Sequence, residues 1–339
     1  MRRLPVYFLL DCSESMIGDA IQAVEDGVKK LLNELKKNPN ALETAYVSFI
    51  TYSAKAKQVV PLTDLLTVQA PKLSVQSGTS MGGAFQLLKE CISREVLKTT
   101  KEKKGDFRPI VFLLTDGQPT DDSVSLINSI KSIVSPKIAN IYSIGCGDDV
   151  DFEVLLKVSD TVFKLEDMNP ENLSNLFIWL SASVQNASAG VSEGSMTDGI
   201  DLIKKPPTVE VVERSANFRK DKISQQVFLK INCIKKKGIY LVRHKLNLST
   251  KTYEAVKTHK IEDSVQESVD SNLSKVNSDK ISTVLPCPYC FNQSWAFCPC
   301  GSFLCCNPSN GSITLVCPKC NQSNEFKFGH SFDINQSAG

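Results

Sequence analysis

Histidine is nearly missing from this chain: there are three in 339 residues, His244, His259 and His330, all beyond residue 240. A histidine-based nucleophile relay in the N-terminal part is thereby excluded. Absent too are a Gly-x-x-x-x-Gly-Lys-Ser/Thr phosphate loop and a Gly-x-Ser-x-Gly elbow, and no internal repeat is present. No apolar run approaches the roughly 20 residues that span a bilayer. Neither sign of charge is in excess, at a formal net +2, so the whole chain is not an electrostatic binder of nucleic acid or membrane. Arg2 and Arg3 precede an apolar run, as in a signal peptide, but that run ends at Asp11 and has no small-residue cleavage site. A cytoplasmic location is expected.

Cysteine is plentiful but uneven. Of twelve, eight fall between Cys287 and Cys320, whereas Cys12, Cys91, Cys146 and Cys233 are scattered and read as small buried hydrophobes. Dense Cys-x-x-Cys pairs late in a long chain point to metal rather than to a disulfide framework.

The first half alternates strands and helices. Leu4 to Leu10 reads as a buried strand, and Ile17, Ile21, Val24, Val28, Leu31, Leu32 and Leu35 mark a helix stopped at Asn38-Pro39-Asn40. Ala45 to Thr51 and Lys57 to Pro61 are predicted strands, followed by a helix after Thr79 and an apolar strand from Arg108 to Leu114. A helix carried by Val124, Ile127, Ile130 and Ile133 leads to strand Ile138 to Ile144, helix Asp151 to Val158, strand Thr161 to Leu165 and helix Pro170 to Val184. The pattern predicts a doubly wound, mainly parallel α/β sheet over residues 1–185. Beyond it we expect a linker at 186–206, a small basic β module at 207–260, a second linker at 261–285 and a Cys-rich zinc-ribbon-like domain at 286–330.

In such sheets ligands sit beyond the carboxyl ends of the strands. Asp11 and Asp116 each follow an apolar strand, and Thr79 lies on a loop opening a helix. With Ser13 and Ser15 they make an oxygen-only set that suits magnesium, or manganese, with a coordination position left for an external acid. Taken singly, Asp11 and Thr79 read as helix caps and Asp116 as a turn residue beside Gly117. Asp148, Asp149 and Asp151 follow a later strand and read chiefly as turn and cap residues. The spacing Asp11-x-Ser13-x-Ser15, with Thr79 and Asp116, resembles the metal-ion-dependent adhesion site of von Willebrand factor type A domains. In that family the first Asp and the hydroxyls hold the cation, the second Asp acts often through water, and a partner's carboxylate can complete the shell.

Cys287-x-x-Cys290 and Cys317-x-x-Cys320, each with an internal proline, predict one four-cysteine zinc site. Cys298, Cys300, Cys305 and Cys306 are candidates for a second zinc, although adjacent Cys305 and Cys306 cannot both point inward without a kink. His244, His259 and His330 are spare ligands, each more simply an ordinary residue. Tyr289, Trp295, Phe297 and Phe303 are expected to pack around metal that supplies the folding free energy of this small segment. Together the domains resemble the TerY-like proteins of bacterial tellurite-resistance and stress systems, ending in a TerY-C metal-binding domain; Cys306 is a thiol beyond that family's pattern. The resemblance implies a non-enzymatic interaction module working with a Ser/Thr-type protein kinase and a PP2C-type phosphatase.

Two other functions compete with this one. A magnesium-dependent phosphohydrolase of the haloacid-dehalogenase type also places Asp after its first strand, but needs a second acid two residues on, where this chain has Ser13. Thirteen Lys or Arg stand against two acids from Arg214 to Lys260. They suit solvated strand edges, or an acidic partner. Nucleic acid is disfavoured as a partner because few aromatics interleave with them.

Overall fold

The computed structural model describes residues 2–147, 149–193, 204–213, 226–247, 249–261, 275–307, 312–327 and 333–335. The chain divides into two compact units, residues 1–220 and 221–339.

The first unit is built on strands β1 (Leu4–Asp11), β2 (Ala45–Tyr52), β3 (Ala56–Asp64), β4 (Ile110–Thr115), β5 (Asn140–Cys146), β6 (Thr161–Leu165) and β7 (Val209–Val211). They form one sheet in the order β3-β2-β1-β4-β5-β6-β7. β3 and β7 pair antiparallel at the two edges and the rest are parallel. Every residue of β1, β4 and β5 is buried, as expected for central strands covered on both faces. Alternation along β1 sends Val6, Phe8 and Leu10 into one core, and Tyr7 and Leu9 into the other.

Helices α1 (Asp19–Lys36), α2 (Pro39–Thr44) and α6 (Pro170–Glu193) cover the first face, while α3 (Met81–Glu95), α4 (Ser123–Val134) and α5 (Phe152–Val158) cover the second. Asn38 stops α1 and caps the short α2, its side chain accepting from the N–H of Ala41 at 3.0 Å. Strand order reverses between β1 and β4, so Asp11 and Asp116 leave neighbouring strands at the same end. That crevice is where a sheet of this topology takes ligands.

Three expectations are corrected here. Helix α6 continues through the stretch read as linker to Glu193, because Ala187, Ser188 and Val191 are buried on its sheet-facing side. β7 belongs to the first sheet, paired to β6, not to the basic module. On α4 the inward residues are Leu126, Ser129, Ile130 and Ile133, whereas Val124 and Ile127 are 69% and 46% exposed.

The second unit has a five-stranded sheet of β8 (Gln226–Cys233), β9 (Gly238–Asn247), β10 (Thr252–Ile261), β12 (Ser294–Phe297) and β13 (Phe303–Cys306), in the order β10-β9-β8-β13-β12. The basic strands and the Cys-rich segment are therefore one folded sheet, joined where β13 runs parallel to β8. Within the expected second linker, β11 (Lys275–Asn277) pairs with β16 (Asp333–Asn335), and the Ser282 N–H bonds the Tyr253 carbonyl at 3.0 Å. A hairpin of β14 (Ser312–Val316) and β15 (Ser323–Lys327) completes the unit.

Candidate metal-ion sites

At the end of β1 the chain turns through Ser13 into a short 3-10 segment, Glu14–Met16. The Ser13 N–H donates to Asp11 Oδ1 at 2.9 Å, and the Thr115 hydroxyl donates to Asp11 Oδ2 at 2.7 Å. Ser13 Oγ lies 2.9 Å from Ser15 Oγ, which donates to Asp116 Oδ1 at 2.6 Å. Four of the five predicted oxygen donors thus form one hydrogen-bonded set on the loops after β1 and β4.

Thr79 comes from the third loop, ahead of α3. Its N–H donates to Thr120 Oγ1 and its carbonyl accepts from the Thr120 N–H, both at 3.0 Å. Gly78 N–H donates to Glu14 Oε2 at 2.9 Å. The loop is therefore pinned to both of the others. Thr79 Oγ1 itself is fully buried and has no hydrogen-bond partner among the described residues. Such a hydroxyl costs about 1–3 kcal/mol unless something coordinates it.

The charges point the same way. Burial pushes the Asp11 carboxyl above the ordinary carboxylate range, against the pull of its Thr115 and Ser13 donors. Asp116 is raised by burial and then by the neighbouring negative charge of Asp11, with Asp149 adding to it. Two carboxylates crowded in this way call for a compensating positive charge, which a divalent cation would supply. The orphaned hydroxyl and the all-oxygen donor set fit a hard divalent ion. Of the other acids, Asp151 caps α5 through the N–H of Val154 at 3.1 Å, and Asp148 lies outside the described residues.

In the second unit the thiols form two groups, each with four sulfurs within 4.8 Å of one another: Cys233, Cys287, Cys290 and Cys305, and Cys298, Cys300, Cys317 and Cys320. This corrects the expected pairing. The Cys287 knuckle does not face the Cys317 knuckle, because it docks against the ends of β8 and β13, where Cys233 and Cys305 stand side by side in parallel register. The Cys317 knuckle is the turn of the β14–β15 hairpin and meets the turn between β12 and β13, which carries Cys298 and Cys300. Cys233, expected to be a small core residue, joins a four-thiol group. Cys306 joins neither: alternation along β13 sends it to the opposite face from Cys305, into an apolar cluster with Leu304 and Phe326.

The three knuckles share one backbone device. In each, the amide just after the second cysteine folds back onto the carbonyl of the first. Phe291 N–H bonds the Cys287 carbonyl, Gly301 N–H that of Cys298, and Asn321 N–H that of Cys317. The closing residues have φ of 63°, 93° and 57°. The sulfurs titrate unequally. Burial raises Cys298 to about 12, whereas at Cys300 the Ser302 hydroxyl and N–H outweigh burial and lower it to about 6. Four crowded thiols cannot all ionise without a cation among them, and a four-cysteine set of this kind is a closed tetrahedral metal site. Among the described residues no histidine belongs to either group; His244 is buried on β9 and His330 lies outside the described residues.

Sequence reasoning missed Glu14, Thr115, Thr120 and Asp121. Each is polar and sits within a few residues of a candidate ligand. The only signal was the polar run Thr115 to Asp122 directly after an apolar strand.

The family model for the von Willebrand factor type A domain matches residues 6–177, and that for the TerY-C metal binding domain matches residues 219–339. Among solved structures, proximal thread matrix protein 1 from the mussel byssus, in a form described with a zinc-occupied MIDAS motif, is 20% identical with a TM-score of 0.39. It is matched over 55% of this chain and 46% of its own. Two further structures of that protein are covered to 48% and 46%, so this chain spans about half their length. A von Willebrand factor type A protein from Catenulispora acidiphila is 16% identical with a TM-score of 0.44, covering 77% of this chain and 66% of that one. The pilus adhesin SpaC from Lactobacillus rhamnosus GG is 13% identical with a TM-score of 0.43, over 55% and 30%. The family models cover both units, and the chain belongs to the von Willebrand factor type A family in its TerY-like form, with a TerY-C metal-binding domain at its C-terminal end.

Proposed function

We propose that this protein is a non-enzymatic, metal-dependent interaction module whose first unit captures an acidic residue of a partner protein through a magnesium or manganese ion. Asp11, Ser13, Ser15, Thr79 and Asp116 would hold the ion, partly directly and partly through water. Bound there, the ion supplies a positive charge that an external carboxylate can ligate. The observation that carries this reading is the buried Thr79 hydroxyl, without a hydrogen-bond partner among the described residues, on a loop pinned to the two loops that carry the crowded carboxylates.

The two four-thiol groups would each hold a zinc ion, fastening a unit whose sheet is small. Likeness to TerY-like proteins supports a regulatory partner in a phosphorylation-linked complex, a Ser/Thr-type kinase and a PP2C-type phosphatase. The hydrolase alternative gains nothing from the geometry. Position 13 is a serine whose N–H serves Asp11, and Oε2 of the nearby Glu14 accepts the Gly78 N–H.

Affinity capture from the source cells, with and without EDTA and with Asp11→Ala, tests the proposal. Partner recovery should disappear under both treatments. Recovery that survives both would overturn the capture mechanism.

A further inference from the structure

The oxygen donors of the first unit do not arrive in the same way. Asp11, Ser13, Ser15 and Asp116 hang directly from the ends of β1 and β4, whose places are fixed by the central sheet. Thr79 hangs from a long irregular connection between β3 and α3, so something other than the ladder must set its position.

Backbone bonds from the Ser80 N–H to the Ser53 carbonyl (2.6 Å), the Ala54 N–H to the Ser77 carbonyl (2.7 Å) and the Gln76 N–H to the Cys12 carbonyl (2.9 Å) hold part of the loop, and three side chains do the rest. Glu14, placed between the two ligand serines and only 2% exposed, accepts the Gly78 N–H at 2.9 Å. Gly78 has φ +87°, and a Cβ there would lie 3.3 Å from the Ala54 backbone, so the loop presents that amide where a larger residue would be strained. On the other side Thr120 takes the Thr79 N–H with its hydroxyl and returns its own N–H to the Thr79 carbonyl, each at 3.0 Å. One residue on, Asp121 accepts from the Ser80 hydroxyl at 2.8 Å and from the Gly82 N–H at 2.9 Å. Both backbone polar groups of Thr79 are thus satisfied, and only its hydroxyl is left over.

We infer that Glu14, Thr120 and Asp121 are positioning residues that form a clamp. None belongs to the five-oxygen donor set, yet together they tie the Thr79 loop to the loop of Ser13 and Ser15 and to the loop of Asp116. The inference rests on the reading that one cation is shared by those five donors. Its chemical consequence is selectivity. Magnesium demands a near-ideal octahedral shell, whereas calcium accepts more ligands in looser arrangements. A clamped hydroxyl favours the smaller ion, and a released one shifts preference toward calcium.

Outer-shell partners of metal ligands typically account for about 10–100-fold in metal affinity. The test is a manganese titration of the full chain followed by electron paramagnetic resonance, with magnesium and calcium as competitors. Glu14→Ala and Thr120→Val should each weaken manganese binding by about 10–100-fold and move the magnesium-to-calcium preference toward calcium. Glu14→Gln and Thr120→Ser, which keep an acceptor oxygen, should recover most of both. A loop that merely stabilised the fold would not move the preference between the two ions. If Glu14→Ala does not fold, the Thr120→Val and Thr120→Ser pair decides. Wild-type affinity and wild-type preference in folded Glu14→Ala or Thr120→Val would overturn the clamp while leaving the ion site intact. Manganese that does not bind the wild type, or that binds Asp11→Ala equally, would overturn the ion site itself.

Discussion

Replacing Thr79 by valine should stabilise the protein without metal and lose most of that advantage with it. The side chain is fully buried and its hydroxyl has no hydrogen-bond partner among the described residues. Valine keeps nearly the same shape and removes that hydroxyl. Leaving a buried hydroxyl unpaired costs about 1–3 kcal/mol, so the variant should be more stable than wild type by about that amount in EDTA. For a unit of this size that corresponds to roughly 2–12 °C in Tm. With divalent ion present the variant's advantage shrinks by about 1.3–2.3 kcal/mol. At a concentration about 100 times the dissociation constant, the ion stabilises wild type by about 2.7 kcal/mol. If losing one oxygen weakens binding by about 10–100-fold, the same concentration gives the variant only about 0.4–1.4 kcal/mol. The assay is thermal unfolding of the full chain, following the transition that responds to magnesium, in EDTA and in excess magnesium. A Thr79→Val protein that is less stable than wild type in EDTA, and gains an equal magnesium shift, would refute the reasoning.

Two further expectations concern protons and sulfur. Asp11 and Asp116 titrate above their unfolded range because of burial and, for Asp116, the adjacent charge. They therefore hold protons that the unfolded chain has released. That contribution is fully present below the ordinary carboxylate pKa and is lost as pH rises through the folded values, by up to about 1.4 kcal/mol per pH unit for each carboxylate. Melting in EDTA should show wild type losing stability relative to Asp116→Asn between pH 5 and pH 8; a difference independent of pH would contradict this. In the second unit, native mass spectrometry should show Cys233→Ser losing one tightly held ion, while Cys306→Ser keeps the full count. The reverse result would restore Cys306 as a ligand and remove Cys233.

The parallel core was legible because β1, β4 and β5 are continuous apolar runs, and the candidate oxygen set because its members stand at strand ends and a helix start. What misled was side-chain size. The end of α6 looks like a linker because it is rich in Asn, Ala, Ser and Gly, yet those small residues let the helix lie close against the core, with Ser188 and Val191 buried. On α4, apolar residues surround most of the helix, so periodicity admitted two phases. Ser129 settled the matter by turning inward, where its hydroxyl meets Gln86 at 3.1 Å. Cysteine spacing identifies each knuckle as a turn but carries no information on which strands that turn will face. Cys233, one alternating position at the end of β8, had no local signature at all. Glu14 was equally silent, since its partner Gly78 lies on another loop.

The most direct measurement is the electron paramagnetic resonance spectrum of one equivalent of manganese added to the zinc-loaded full chain, compared with Asp11→Ala prepared in the same way. A protein-bound signal in the wild type and a free aqua ion signal in the variant are expected. Equal binding in both would mean that the oxygens of the first unit do not hold the ion.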